Sequence, residues 1–251
     1  MKQQHKTETV YKYDGITIHA APGLHEYAMD VILDKCRKNG RILDLGCGSG
    51  AFTKRLQNHG FITNSVDLSL DTFALNSECY EIDLNSNFSQ RFSSRNYDVI
   101  VALEVIEHLE NPLHFLRQLK LIAGPETIIF VSFPNLYLYY SVVTFYKHGT
   151  FGNYSPFLYW ETGHQTIMTD WLFEAHLKKT GLMLEKKHFC AFINFHKQPI
   201  KFVLHKVLFN LVCLFNKKIS PEARMSEVVL FQFRNEAGLF EAVSPIGGSN
   251  A

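Results

Sequence analysis

The chain has 251 residues, with 25 Lys and Arg against 24 Asp and Glu and a formal charge of +1. That balance excludes a global electrostatic pull toward nucleic acid or a membrane surface, and the length suffices for one domain with an elaboration. Five scattered cysteines without C-x-x-C spacing argue against a disulfide framework or a zinc site and fit a reducing compartment. The polar start, MKQQHKTETVYKYDG, carries no visible secretory signal, so a cytoplasmic globular protein is expected.

In chain order, Leu24, Tyr27, Ala28, Val31, Ile32 and Cys36 recur at helical spacing and predict an amphipathic helix over 23–38. RILDLG reads as a short buried strand, and AFTKRLQNHG as a helix closed by Gly60. FITNSVDLS, YEIDLN and YDVIVALEV read as three more strands. Asn111-Pro112 supplies an N-cap and first-turn proline for the helix LHFLRQLKLIAG. ETIIFVSFPN is the next strand. Strands alternating with helices predict a parallel sheet covered on both faces.

Beyond Asn135 the pattern loosens. Residues 136–165 are dense in aromatics and show no clear period. TDWLFEAHLKKTG then reads as a helix with Thr169 as cap and Gly181 as stop, followed by the strand LMLEKKHFCAFINF, an apolar segment at 199–216 and the strand SEVVLFQFRNE. Residues 241–251 are expected to be a disordered tail.

The stretch RILDLGCGSGAF carries the first chemistry. Open parallel sheets bind ligands at the carboxyl ends of their strands, and glycines there let the backbone approach a ligand closely. Asp44 precedes the run Gly46-Cys47-Gly48-Ser49-Gly50. An acid at that place is awkward for a diphosphate but natural for a ligand carrying an ammonium or sulfonium group. Asp67 is expected to end the second strand, where it can accept two ribose hydroxyls. Asp83 is expected to end the third, where it can accept from an adenine amino group.

This set resembles the class I S-adenosylmethionine-dependent methyltransferases. LDLGCGSG matches their glycine motif, VDLS their ribose-acid motif, IDLN the adenine position, and EVIEHLENP the fourth-strand motif of the small-molecule branch. The resemblance is firm over about residues 20–135 and implies an α/β, Rossmann-like, seven-stranded, mostly parallel sheet with helices on both faces and a terminal antiparallel hairpin. It implies S-adenosyl-L-methionine as cofactor, held by Asp44, Gly46, Cys47, Gly48, Gly50, Asp67, Leu68, Asp83, Leu84 and Glu104. Residues 1–40 would cover the cofactor site, 41–240 would form the catalytic domain, and 136–165 would be an inserted acceptor-recognition element.

Acceptor-side residues are fewer. In GHxxxxT contexts of similar sugar-modifying enzymes a histidine borders the acceptor cleft, which makes His164 the candidate general base. Glu104, Glu107 and His108 would share one face if a helix started at Glu104. Similar clusters bind a metal in small-RNA 2′-O-methyltransferases, with a later histidine such as His164 completing the site. No metal is assigned in the leading reading. His25 is read as a surface histidine. The aromatics Tyr137, Tyr139, Tyr140, Phe145, Tyr146, Phe151, Tyr154, Phe157, Tyr159 and Trp160 are expected mostly to build a local core, with a minority lining the cleft. Segment 199–216 is too short and polar to span a bilayer; packing on the domain is expected, with peripheral membrane contact as the alternative.

The expected function is therefore O-methylation of a small-molecule or glycan-type hydroxyl. The alternatives are a metal-dependent RNA 2′-O-methyltransferase, which the neutral charge disfavours, and a cofactor-binding regulatory or assembly protein without catalysis.

Overall fold

The computed structural model describes residues 10–92, 96–192, 207 and 219–236. The tail expectation and nearly all of segment 199–216 lie outside the described residues. The chain opens on a hairpin of β1 (Lys12–Tyr13) and β2 (Ile16–Thr17), joined through Asp14 and Gly15. Both turn residues have positive φ, 50° and 83°, as a tight Asp-Gly hairpin turn demands. Then follow α1 (Leu24–Lys35), β3 (Arg41–Leu45), α2 (Ala51–Asn58), β4 (Ile62–Asp67), β5 (Cys79–Glu81) and β6 (Val99–Ala102). The second half contributes α3 (Pro112–Ile122), β7 (Ile128–Pro134), α4 (Tyr139–His148), α5 (Pro156–Thr162), α6 (Asp170–Thr180) and β8 (Leu182–Phe192). A short helix, Pro221–Met225, leads into β9 (Ser226–Asn235).

The seven-stranded sheet runs β5-β4-β3-β6-β7-β9-β8. All pairs from β5 to β7 are parallel, and β9 pairs antiparallel with both β7 and β8. This is the expected Rossmann-like sheet with its terminal hairpin. Period-two alternation divides the core. Leu43 and Leu45 of β3 face the cluster containing Phe115 and Leu119 of α3 and Phe173 of α6. Ile42 faces the cluster containing Leu24 and Ile32 of α1 and Phe52 and Leu56 of α2. Strand order reverses between β3 and β6, so their carboxyl ends open a crevice at the switch point.

Three expectations are corrected. Strand β5 stops at Glu81, so Asp83 does not end a strand; it sits in the following turn, where its carboxylate accepts from the Asn85 backbone N–H at 2.8 Å. No helix starts at Glu104. That residue takes φ 53° and only Ile106–His108 forms a 3-10 turn, so the proposed shared helical face is absent. The aromatic insertion is not mainly a local core: Tyr140, Phe145, Tyr146, Phe157, Tyr159 and Trp160 are exposed, while Tyr139 and Tyr154 are buried. The reason is that α4 buries only Tyr139 and Ser141 and α5 buries none of its residues. No described helix is long and apolar enough to cross a membrane.

Candidate active site

The glycine loop is fastened to the end of β4. Gly46 and Cys47 N–H groups donate to the Val66 carbonyl at 2.8 and 3.0 Å, and the Gly48 N–H donates to Asp67 Oδ2 at 2.7 Å. Gly46 has φ 71°, and a Cβ there would meet Val105 Cγ2 at 2.4 Å; the β3 and β6 ends approach too closely for any side chain. Gly48 has φ 53° with open space where a Cβ would stand. That open side is the cradle a ligand needs. Gly50 opens α2.

Asp44 is buried and accepts from Thr53 Oγ1 at 2.6 Å, while Thr53 Oγ1 also meets Ser65 Oγ at 3.0 Å. Burial pushes the Asp44 carboxyl up to about 7, with the Thr53 bond opposing and the Asp67 charge adding. Beside it, His25 corrects a sequence expectation. It is 7% exposed rather than on the surface, and its Nδ1 has no hydrogen-bond partner. Burial, helped by the Arg55 charge, lowers it to about 4, so it is neutral.

A cavity of about 590 Å³ lies at the switch point. Gly46, Asp67, Leu68, Asp83, Leu84 and Glu104 line it together with His108, Tyr159, Trp160, Gly163 and Gln165. A smaller recess lined by His25, Asp44, Cys47 and Gly48 adjoins it, sharing His19, Gly46 and Leu103. Thus the strand-end acids and the glycine loop face two adjoining spaces. Gly50 lines neither.

Glu104 accepts from the Ala21 N–H at 2.7 Å and donates its own N–H to Ser132 Oγ at 2.9 Å. Burial pushes its carboxyl up to about 7, against the Ala21 bond and with a contribution from the Glu227 charge. Through this bond the segment before α1 is tied to the residue that follows β6.

The segment before α6 is stitched to the 3-10 turn. Gln165 and Thr166 N–H groups donate to the Glu107 carbonyl at 3.0 and 2.9 Å, and Gln165 Nε2 donates to the His108 carbonyl at 2.6 Å. His164 itself does not line the cavity. Its Nδ1 meets the Asn153 carbonyl at 2.8 Å and therefore donates, leaving Nε2 as an acceptor. The ring stands edge-to-face on His108 at 4.8 Å. His108 is the imidazole in the wall; burial and its neighbour His164 lower its pKa. Ligand atoms of Glu107, His108 and His164 lie within 4.8 Å of one another. Glu107 is fully buried with neither carboxylate oxygen hydrogen-bonded, and burial raises its pKa well above the carboxylate range. The sequence missed His19, Val105, Asn85 and Gln165 as lining residues; only contact across the chain brings them in.

These residues fit S-adenosyl-L-methionine: an open glycine cradle, a buried acid for a cationic end, and carboxylates of Asp67 and Asp83 for hydroxyl and amino donors. Residues 20–189 match the family model described as a methyltransferase domain. The chain is 28% identical over 107 residues to the ubiquinone biosynthesis O-methyltransferase of Coxiella burnetii (strain Dugway 5J108-111), spanning 38% of this chain and 44% of that one. It is 33% identical over 97 residues to the protein of that name from Rickettsia bellii (strain OSU 85-389), spanning 36% and 40%. The chain therefore matches less than half the length of these curated relatives. In fold it is similar to a SAM-dependent methyltransferase from Archaeoglobus fulgidus, with TM-score 0.56, 15% identity, and coverage of 84% of this chain and 94% of that one.

Proposed function

The chain belongs to the class I S-adenosylmethionine-dependent methyltransferases, and on that premise we propose that it methylates a hydroxyl of a small-molecule or glycan-type acceptor. The observation that carries this reading is one cavity lined both by the strand-end acids with the glycine loop and by the 159–165 segment. Gly46, Asp67, Leu68, Asp83, Leu84 and Glu104 would serve the cofactor, while His108 and the 159–165 segment would serve the acceptor. The names of the partly matched relatives support oxygen as the methylated atom.

The cofactor supplies a methyl group already activated by its sulfonium. This chain has to bind, align and exclude water. Asp67 would hold ribose hydroxyls, Asp83 the base, and Asp44 and the Gly46–Gly50 loop the cationic amino-acid end. Tyr159 and Trp160 give the acceptor flat apolar faces on α5. The acceptor hydroxyl has to lose a proton as attack proceeds, and neutral His108 in the wall can take it. His164, the base expected from sequence, stands behind it with Nε2 free of the Asn153 bond.

His108→Ala and His164→Ala test this division. The first is expected to lower turnover about 100-fold or more with cofactor affinity unchanged, and the second to lower turnover less. Loss of cofactor binding in both would make the pair structural instead. A cytoplasmic location belongs to the same proposal, and cell fractionation checks it.

One observation favours a second reading. Two imidazoles and an unpaired buried carboxylate at Glu107, His108 and His164 form a donor set suited to a borderline divalent ion. Such an ion would support metal-assisted methylation of an RNA 2′-hydroxyl, against the +1 charge. Activity that survives thorough chelation rejects it.

A further inference from the structure

Cys47 occupies the centre of the glycine loop, and its Sγ lies 3.6 Å from Sγ of Cys79. Cys79 begins β5, a three-residue strand at the edge of the sheet, and is half-buried, whereas Cys47 is buried. The other described cysteines meet backbone instead: Cys36 the Arg37 carbonyl and Cys190 the Val228 carbonyl. A disulfide has an S–S length of about 2.05 Å, so the two sulfurs must close by roughly 1.5 Å. The parts on either side can give. Gly46 and Gly48 flank Cys47, and β5 pairs within the sheet with β4 alone, although Tyr80 of β5 also packs on Phe92. Closing them draws the loop toward β5. It also shifts Gly48, whose N–H is bonded to Asp67, away from the geometry that shapes the cofactor cradle.

We propose that Cys47 and Cys79 form a reversible oxidative modification site, in which a low-molecular-weight disulfide converts them to an intramolecular disulfide that weakens cofactor binding. The inference rests on the methyltransferase reading of the glycine loop. The more accessible Cys79 thiolate attacks one sulfur of the small disulfide and expels one thiol, giving a mixed disulfide. Cys47 then loses its proton, attacks the Cys79 sulfur and expels the second thiol. The two protein thiols give up two electrons and two protons, and one small disulfide becomes two thiols. The order of events follows from the surroundings. The hydrogen bond to Cys79, then burial, then the Asp44 charge hold the Cys47 thiol protonated, and the first of these is removed once Cys79 has reacted.

The full chain, reduced or equilibrated with oxidised glutathione, is titrated with S-adenosylmethionine by calorimetry, and its peptides are mapped by mass. The expected result is a Cys47–Cys79 linkage with a 2 Da loss, a Kd raised at least about tenfold, and full recovery after dithiothreitol. Cys79→Ser and Cys79→Ala, checked for native melting, are expected to bind cofactor like the reduced chain and to keep that affinity in oxidised glutathione. A chain that stops at a mixed disulfide on Cys79, or a linkage with unchanged Kd, overturns the proposal. Absence of cofactor binding by the reduced chain contradicts the proposed function instead, while the mass map still decides whether the linkage forms.

Discussion

Asp67 accepts from the Gly48 N–H on one oxygen and from the Leu68 N–H, at 2.8 Å, on the other. Asp67→Ala removes the charged acceptor from the glycine loop as well as from any bound hydroxyls. At about 1.5–3 kcal/mol for hydrogen bonds to a charged group, S-adenosylmethionine affinity should fall on the order of 10- to 100-fold by calorimetry; unchanged affinity would refute the placement. Asp44 and Glu104, both raised to about 7 by burial, give the site a pH dependence. A cationic ligand needs the carboxylate at Asp44, so below about pH 7 a proton competes and affinity weakens with each unit of acidification. Above that it levels off. Stability of the ligand-free chain runs the other way. The folded carboxyls hold protons that the unfolded ones, near the ordinary value of about 4, have already released, so stability falls as pH rises from about 4 to 7. Asp44→Asn, which still accepts from Thr53, should flatten the affinity profile and reduce, without abolishing, the fall in stability, since Glu104 still titrates. Equal cofactor affinity at pH 5.5 and 8 in the native chain would contradict this assignment.

At the scale of elements, the 163–169 segment depends on how α6 is seated. Phe173 is fully buried, with its ring 5.2 Å from Phe133, 4.6 Å from Phe231 and 5.9 Å from Phe233. Phe173→Ala should therefore cost about 3–5 kcal/mol in urea unfolding, and α6 with the 163–169 segment should loosen first in hydrogen exchange. A loss under 1 kcal/mol would mean the cluster closes around the gap. Elements with long apolar runs or clear caps were legible in the sequence. The Asn111 cap, accepting from the His114 N–H at 3.0 Å, and the Thr169 cap on the Leu172 N–H both stand where residue type put them. Less legible were the ends. YEIDLN alternates like a strand through Asp83, yet the edge position leaves β5 with partners for only three residues. The run YDVIVALEV reads as strand through Glu104 because nothing local announces its φ 53°, which long-range bonds to Ala21 and Ser132 accompany.

Across the whole molecule, the fold was readable because its determinants are periodic and local: alternating β and α segments, with glycines and acids at strand ends. Asp44 and Asp67 inherit that legibility because they lie in strands marked by apolar runs, whereas Asp83 and Glu104 lie beyond theirs. The 136–165 segment is less legible. Residues 136–165 carry aromatics whose burial depends on what packs over them: Tyr146, 92% exposed, is not core, while Trp160 is one of the minority that line the cavity. His164 was singled out by its motif context, while His108 lines the wall through a 3-10 turn that its neighbours 163–166 fasten. The most direct test of the account uses methyl-labelled S-adenosylmethionine with the chain and fractionated cell extract. Label should enter a small-molecule or glycan fraction in base-stable form, as an ether does and a methyl ester does not, with one S-adenosylhomocysteine released per methyl group. Cofactor bound tightly with no label in any fraction would contradict methyl transfer and leave a protein that only binds.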